Sequence, residues 1–191
     1  MHINNLDKYY FISEYDTNLI RYQEKSTNII FRNYTKKVNI KKILELKNFC
    51  KKRGNKFFLA NKIKLAMSLG LNGAYIPSFN KDYQHLSYSL KKNFRFIGSA
   101  HSIEEIKKKE VQKVEIIFLS SIFKKNKNYL GINKFKLMKK FSKSKIFALG
   151  GINEDNLKLL NLTTVSGFAG ISFFQKKRPL KKGPFNILNS K

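Results

Sequence analysis

Along this chain, apolar residues alternate between short unbroken runs and longer stretches where they recur every three or four positions. The short runs predict strands over residues 9–12, 28–32, 56–60, 73–77, 94–99, 114–119, 145–149 and 166–173. The stretches between them predict helices. The weakest covers about 16–25. The clearest covers 40–52, where Ile43, Leu44, Leu46 and Phe49 share a face and Gly54 supplies the stop. Ile63, Leu65, Ala66 and Leu69 mark the next, closed by Gly70. Further helices are expected over about 81–92, after a cap at Ser102, over about 133–141, and from a cap at Asn153 to about 160. Ser102-Ile103-Glu104-Glu105 is close to a capping box, with acids in the first turn.

Eight strands separated by about seven helices argue for βαβ units throughout. The strands are apolar along their whole length, as parallel strands covered on both faces are. An open doubly wound sheet is the rival architecture. Eight units in 191 residues leave room only for short loops, which favours a compact single-domain α/β (β/α)8 TIM barrel. The barrel is expected over about 8–174. A basic tail, 175–191, is broken by Pro179 and Pro184, so the last helix is expected to be short or irregular.

Charge changes the picture in one respect. The chain carries 39 Lys and Arg against 12 Asp and Glu, for a net charge of +27. Only Arg21, Arg32, Arg53, Arg95 and Arg178 are arginines; the rest are lysines. Base readers favour the planar fork of Arg, so this is not the profile of a sequence-specific nucleic-acid protein. A Lys-driven excess predicts salt-dependent, nonspecific contact with polyanions instead. AT-rich codon usage would give the same excess of Lys, Asn, Ile and Phe. No run of eighteen apolar residues is present, so no membrane span is expected. Met1-His2-Ile3-Asn4-Asn5 lacks the blocks of a signal peptide. Cys50 is alone, rules out an internal disulfide and reads as core filler; His2 and His85 read as surface residues. These features together predict a cytoplasmic protein. The oligomeric state is left open, a homo-oligomer included.

In a barrel, chemistry collects just past the strand ends. Ala148-Leu149-Gly150-Gly151-Ile152-Asn153 and Gly167-Phe168-Ala169-Gly170-Ile171-Ser172 follow this rule at the last two strands. Paired glycines let backbone N–H groups approach a ligand, and loops after these strands often hold phosphate. The plainer reading is a tight turn. Gly98-Ser99-Ala100-His101-Ser102 places Ser99 at a strand end and His101 before a helix, where it could donate to phosphate, move a proton or simply be solvated. Lys124-Lys125-Asn126-Lys127-Asn128 is either a pyrophosphate clamp or a solvated loop, and Arg32 ends the second strand.

Taken in order, these marks resemble the thiamine-phosphate synthase/TenI family. The resemblance rests on Gly98-Ser99-Ala100-His101-Ser102, Phe118-Leu119-Ser120-Ser121-Ile122-Phe123, Leu149-Gly150-Gly151-Ile152 and Ile171-Ser172. Weaker matches are Phe31-Arg32, Asn61 and Gly73-Ala74-Tyr75-Ile76. It implies a transferase that joins a hydroxymethylpyrimidine pyrophosphate to a thiazole phosphate, with pyrophosphate leaving and Mg²⁺ assisting. By motif position, Gly150, Gly151, Ile171 and Ser172 would hold the thiazole phosphate. Ser99 and Lys127 would face the pyrophosphate, and Arg32 the pyrimidine side. In the TenI branch, a His at the place of His101 is implicated in converting a thiazole tautomer to its aromatic form. The chain departs from the family pattern in two places. Gln-x-Arg-x-Lys reads Ile30-Phe31-Arg32-Asn33-Tyr34, and Asn61-Lys62 and Asn80 stand where metal-binding carboxylates are expected. Asp82, two residues late, is the acid nearest that place. A neutral amide alone is a poor Mg²⁺ ligand. The alternatives carried forward are a TenI-like tautomerase, a non-catalytic thiazole-phosphate or thiamine-phosphate binding barrel and, last, a basic nucleic-acid-binding protein.

Overall fold

The computed structural model describes residues 6–34 and 37–175. Eight parallel strands close into a barrel in sequence order: β1 (Asp7–Ile12), β2 (Asn28–Phe31), β3 (Phe57–Ala60), β4 (Gly73–Ile76), β5 (Arg95–Ala100), β6 (Ile116–Ser120), β7 (Lys145–Leu149) and β8 (Gly167–Gly170). The ring is shut by β8 pairing with β1, with Tyr9 opposite Ala169. Among the described residues, six α-helices lie between or after the strands: α1 (Asn18–Arg21), α2 (Ile40–Arg53), α3 (Ile63–Ser68), α4 (Ile103–Val111), α5 (Gly131–Lys139) and α6 (Ser172–Gln175).

Because side chains alternate across a strand, each strand feeds two cores. Inward positions fill the barrel: Tyr9, Phe11, Ile30, Phe58, Tyr75, Ile97, Phe118 and Phe147 form one buried cluster. Tyr9 meets Phe118 and Phe147 edge-on, at centroid distances of 5.1 and 5.8 Å. Outward positions such as Ile29, Leu59, Ala74 and Ile117 pack beneath the helices with Ile43, Leu46 and Ile106. Each large apolar side chain so buried stabilises the fold by about 1.5–3 kcal/mol before entropy is set against it. Cys50 belongs to this outer core, and burial pushes its thiol up to about 12, which keeps it an unreactive filler.

The helix ends follow the sequence signals. Gly54 adopts φ +80° after α2, and its N–H donates to the Cys50 and Lys51 carbonyls. Ser102 caps α4 by accepting from Glu105 N, while the Glu105 carboxylate reaches back to His101 N at 2.6 Å. Two predicted helices are shorter than expected. The stretch 81–92 forms only a single 3₁₀ turn, Gln84–Ser87, and the one after Asn153 is a 3₁₀ segment, Leu157–Thr163. Leu86 and Leu90 stay exposed, so the first has no apolar face to bury. β8 ends at Gly170, and α6 follows over Ser172–Gln175, where the described residues end, so the expected end of the last helix lies outside them. His85, read from sequence as a surface residue, is buried and hydrogen-bonded through Nε2 to the Gln112 carbonyl at 2.9 Å. His2 and, apart from Gln175, the basic tail lie outside the described residues. No helix among the described residues is long and apolar enough to cross a membrane.

Candidate functional site

The two-residue strand period selects what faces the barrel mouth. Counting on from the inward core residues, Ile30 leads to Arg32, Ile97 to Ser99 and His101, Phe118 to Ser120, and Phe147 to Leu149. All of these, together with Tyr75, Lys124, Asn126 and Gly150, line one cavity of about 270 Å³ at the strand C-termini.

Its polar groups are pre-aimed. Ser99 Oγ is buried, accepts from the Tyr75 hydroxyl at 2.8 Å and from Ser78 N at 3.1 Å, and so keeps its own hydrogen for a ligand. Burial raises the Tyr75 phenol above its ordinary value, against the lowering effects of its Ser99 hydrogen bond and of Arg32, so it stays a donor. The Arg32 guanidinium lies 4.6 Å from the centroid of the Phe11 ring, which holds a charged fork over an apolar floor. His101 Nδ1 is 3.0 Å from the Ser120 carbonyl. A carbonyl only accepts, so Nδ1 carries the hydrogen and Nε2 of the neutral ring is the basic nitrogen.

The glycines after β7 do two jobs. Gly150 has φ +102°, and a side chain there would collide with Ser121. Its carbonyl accepts from Phe123 N and Lys124 N, locking the loop after β6 onto the loop after β7. Among the described residues, the N–H groups of Gly150 and Gly151 make no backbone hydrogen bond, so they remain donors at the rim.

The residues expected from sequence do not all converge. Arg32, Ser99, His101 and Gly150 share the central cavity. Ile171 lines a smaller cavity of about 130 Å³ that also touches Arg32. Ser172 opens α6, and Gly151 packs against Lys124. Lys124, Asn126 and Lys127 are all exposed, and of the three Lys124 and Asn126 line the cavity. Asn61, Lys62 and Asn80 lie outside this cavity and line neighbouring ones, behind an edge-to-face pair of exposed rings, Tyr34 and Phe79. Tyr75, missed from the sequence, had a readable signal: it sits one residue before the end of β4, in phase with Ile97 of β5.

Compared with known proteins, the chain matches the thiamine monophosphate synthase family over residues 14–174. It belongs to that family. Among its relatives, the thiamine-phosphate synthase of Fusobacterium nucleatum is 25% identical over 163 residues, covering 83% of this chain and 79% of that one. That of Prochlorococcus marinus is 29% identical over 181 residues, 88% of this chain and half of the longer relative. A thiamine phosphate pyrophosphorylase from Pyrococcus furiosus superposes with a TM-score of 0.71 at 19% identity, covering 92% of this chain and 93% of that one. A citrate synthase variant superposes nearly as well, with a TM-score of 0.65 at 11% identity, so the barrel alone does not specify chemistry.

The resemblance implies Mg²⁺, and the residues of this thiamine monophosphate synthase family member do not fit it. Asn61 Oδ1 is taken up by Asn80 Nδ2 at 2.5 Å, and Asn80 Oδ1 accepts from Asp82 N at 2.8 Å. The Asp82 carboxylate in turn accepts from Gln84 N. No group of three or more His, Cys, Asp or Glu side chains gathers among the described residues. Asn61 adopts φ +56°, a left-handed conformation Asn tolerates.

Proposed function

We propose that this chain is a thiamine-phosphate synthase-type transferase, joining a hydroxymethylpyrimidine pyrophosphate to a thiazole phosphate. One observation carries the reading: Arg32, Ser99, Lys124 and Gly150 face a single cavity at the C-terminal mouth of a barrel of this family. As the C–O bond to pyrophosphate breaks, its electron pair leaves with the pyrophosphate, and the pyrimidine methylene is left cation-like. The thiazole nitrogen then closes the new C–N bond. The chemistry asks for stabilisation of a leaving anion rather than a strong base. The Ser99 hydroxyl and the Lys124 ammonium supply donors on one side, while Arg32 holds the pyrimidine-bearing partner. The Gly150 and Gly151 amides cradle the thiazole phosphate on the other side. The chain's excess of lysine favours capture of both anionic substrates and nonspecific contact with other polyanions.

The test is incubation of the purified chain with both substrates, with and without MgCl₂, with thiamine phosphate read by mass spectrometry. Thiamine phosphate and pyrophosphate are expected in equal amounts; the absence of both under every condition overturns the reading. Ser99→Ala removes one donor to a charged group and is expected to lower turnover about ten- to hundred-fold. The hydroxyl's acceptor role toward Tyr75 and Ser78 is lost as well, so Ser99→Thr should recover part of the activity.

His101 favours a second reading, a tautomerase acting on thiazole phosphate, because its Nε2 is left basic at the mouth. Under that reading His101→Ala abolishes isomerisation by about 10²–10⁴-fold while thiazole phosphate still binds. Equal isomerisation by the variant, followed by absorbance, removes it.

A further inference from the structure

We propose that Lys109 is a positioning residue. Its ammonium, with Gln112, fixes the loop after β4, whose Pro77, Ser78 and Phe79 line the central cavity, and with it the Asn61–Asn80 pair beside that cavity, so that this side is built from internal hydrogen bonds and works without a divalent cation. The inference rests on the reading above of where the pyrophosphate binds.

A lysine on the surface of an outer barrel helix has a four-carbon stem long enough to reach water. Lys109 does the opposite: it is 1% exposed. Its stem packs on Gly98 of β5, where the missing side chain makes room. Its Nζ donates to the Asn80 carbonyl at 2.8 Å and to Gln112 Oε1 at 2.7 Å. Taking an ammonium out of water is costly unless acceptors replace the water, and here one acceptor belongs to the site loop itself. Gln112, fully buried, adds Nε2 donors to the Asn80 and Asp82 carbonyls at 3.2 and 2.8 Å. His85 closes the set from the loop side through the Gln112 carbonyl.

The end of α4 thus grips the loop at Asn80, Asp82 and His85. The gripped Asn80 presents its side chain to Asn61 on the neighbouring loop. Carbonyl oxygens turned toward one cation are what a hard metal ion would gather. In this protein the cation is covalently part of the chain, and the amide oxygens of Asn61 and Asn80, which stand where metal ligands are expected, are already paired.

The experiment starts from the unmodified chain. Amide hydrogen exchange is followed with MgCl₂ and with chelator, and MgCl₂ alone is titrated by calorimetry. Residues 80–85 are expected to be as protected in chelator as with metal, with no saturable heat; metal-dependent protection or a saturable isotherm overturns the proposal. Lys109→Met is expected to lose protection at 78–85 while the strands keep theirs. It should raise KM for the pyrimidine pyrophosphate about tenfold with the KM for thiazole phosphate unchanged. Lys109→Gln, whose shorter side chain keeps a neutral N–H donor group, should fall between. A Met variant that changes both KM values equally, or leaves 78–85 protected, also overturns it. Should Lys109→Met not fold, the unmodified chain still decides. Failure to form thiamine phosphate, with 80–85 protected and indifferent to metal, would defeat the functional reading and leave the clamp standing. Thiamine phosphate formed only with Mg²⁺ would do the reverse.

Discussion

Arg32→Met is expected to lower kcat/KM for the pyrimidine pyrophosphate about 10²–10³-fold, with the folded barrel intact. Arg32 is the fixed cation on the inward phase of β2, carried over the Phe11 ring and next to the Tyr75 phenol. Donors held in a preformed, partly dry mouth are worth several kcal/mol to a transition state, and the loss of one such donor has about this effect on rate. The stability change should be small, because a cation over an aromatic face contributes only about 0.5–1 kcal/mol at an accessible site. Arg32→Lys should recover little, since a point charge does not reproduce the planar fork. Steady-state kinetics with each substrate varied in turn, beside a thermal melt, checks both halves. A Met variant within a factor of two of the parent removes Arg32 from the site.

Gly150→Ala is expected to damage stability and function together. At φ +102° a side chain is strained, and here it would also be driven into Ser121. The loop after β6 hangs on the Gly150 carbonyl through Phe123 N and Lys124 N, so it cannot yield without moving Lys124 out of the cavity. Backbone strain and overpacking together should cost about 2–4 kcal/mol. For a chain of this size that lowers Tm by roughly 5–15 °C. Gly170→Ala is the control: it ends β8, has open space around it and an ordinary φ, and should melt within a degree or two of the parent. Calorimetry of both variants decides. A Gly150→Ala protein as stable as Gly170→Ala would mean that the loop lock is not as described.

The lining of the candidate cavity was partly legible because strands impose a strict alternation. Arg32, Ser99 and Gly150 could be placed from where the apolar runs stop, and they do share a cavity. Lys127 could not be told from Lys124 in the same way. A loop has no period, and the Gly150 carbonyl decides which lysine is held at the rim. Lys109 carries a signal in its spacing. It lies three residues after Ile106, beside it on the buried stripe of α4, where a charge needs a reason to be. His85 gave no such sign: its partner is the carbonyl of a residue 27 positions away.

By itself, the sequence determined the alternation of buried strands and covering helices, and with it the closed barrel and the face on which chemistry collects. Periodicity is a local property, and burial follows from it directly. Only the tertiary structure decided which rim residues meet, that Asn61 and Asn80 pair with each other, and that a lysine and a histidine are turned inward to hold the loop between them. Those outcomes depend on hydrogen-bond partners that sequence spacing does not bring together, because a buried polar group is satisfied by whatever the fold places beside it.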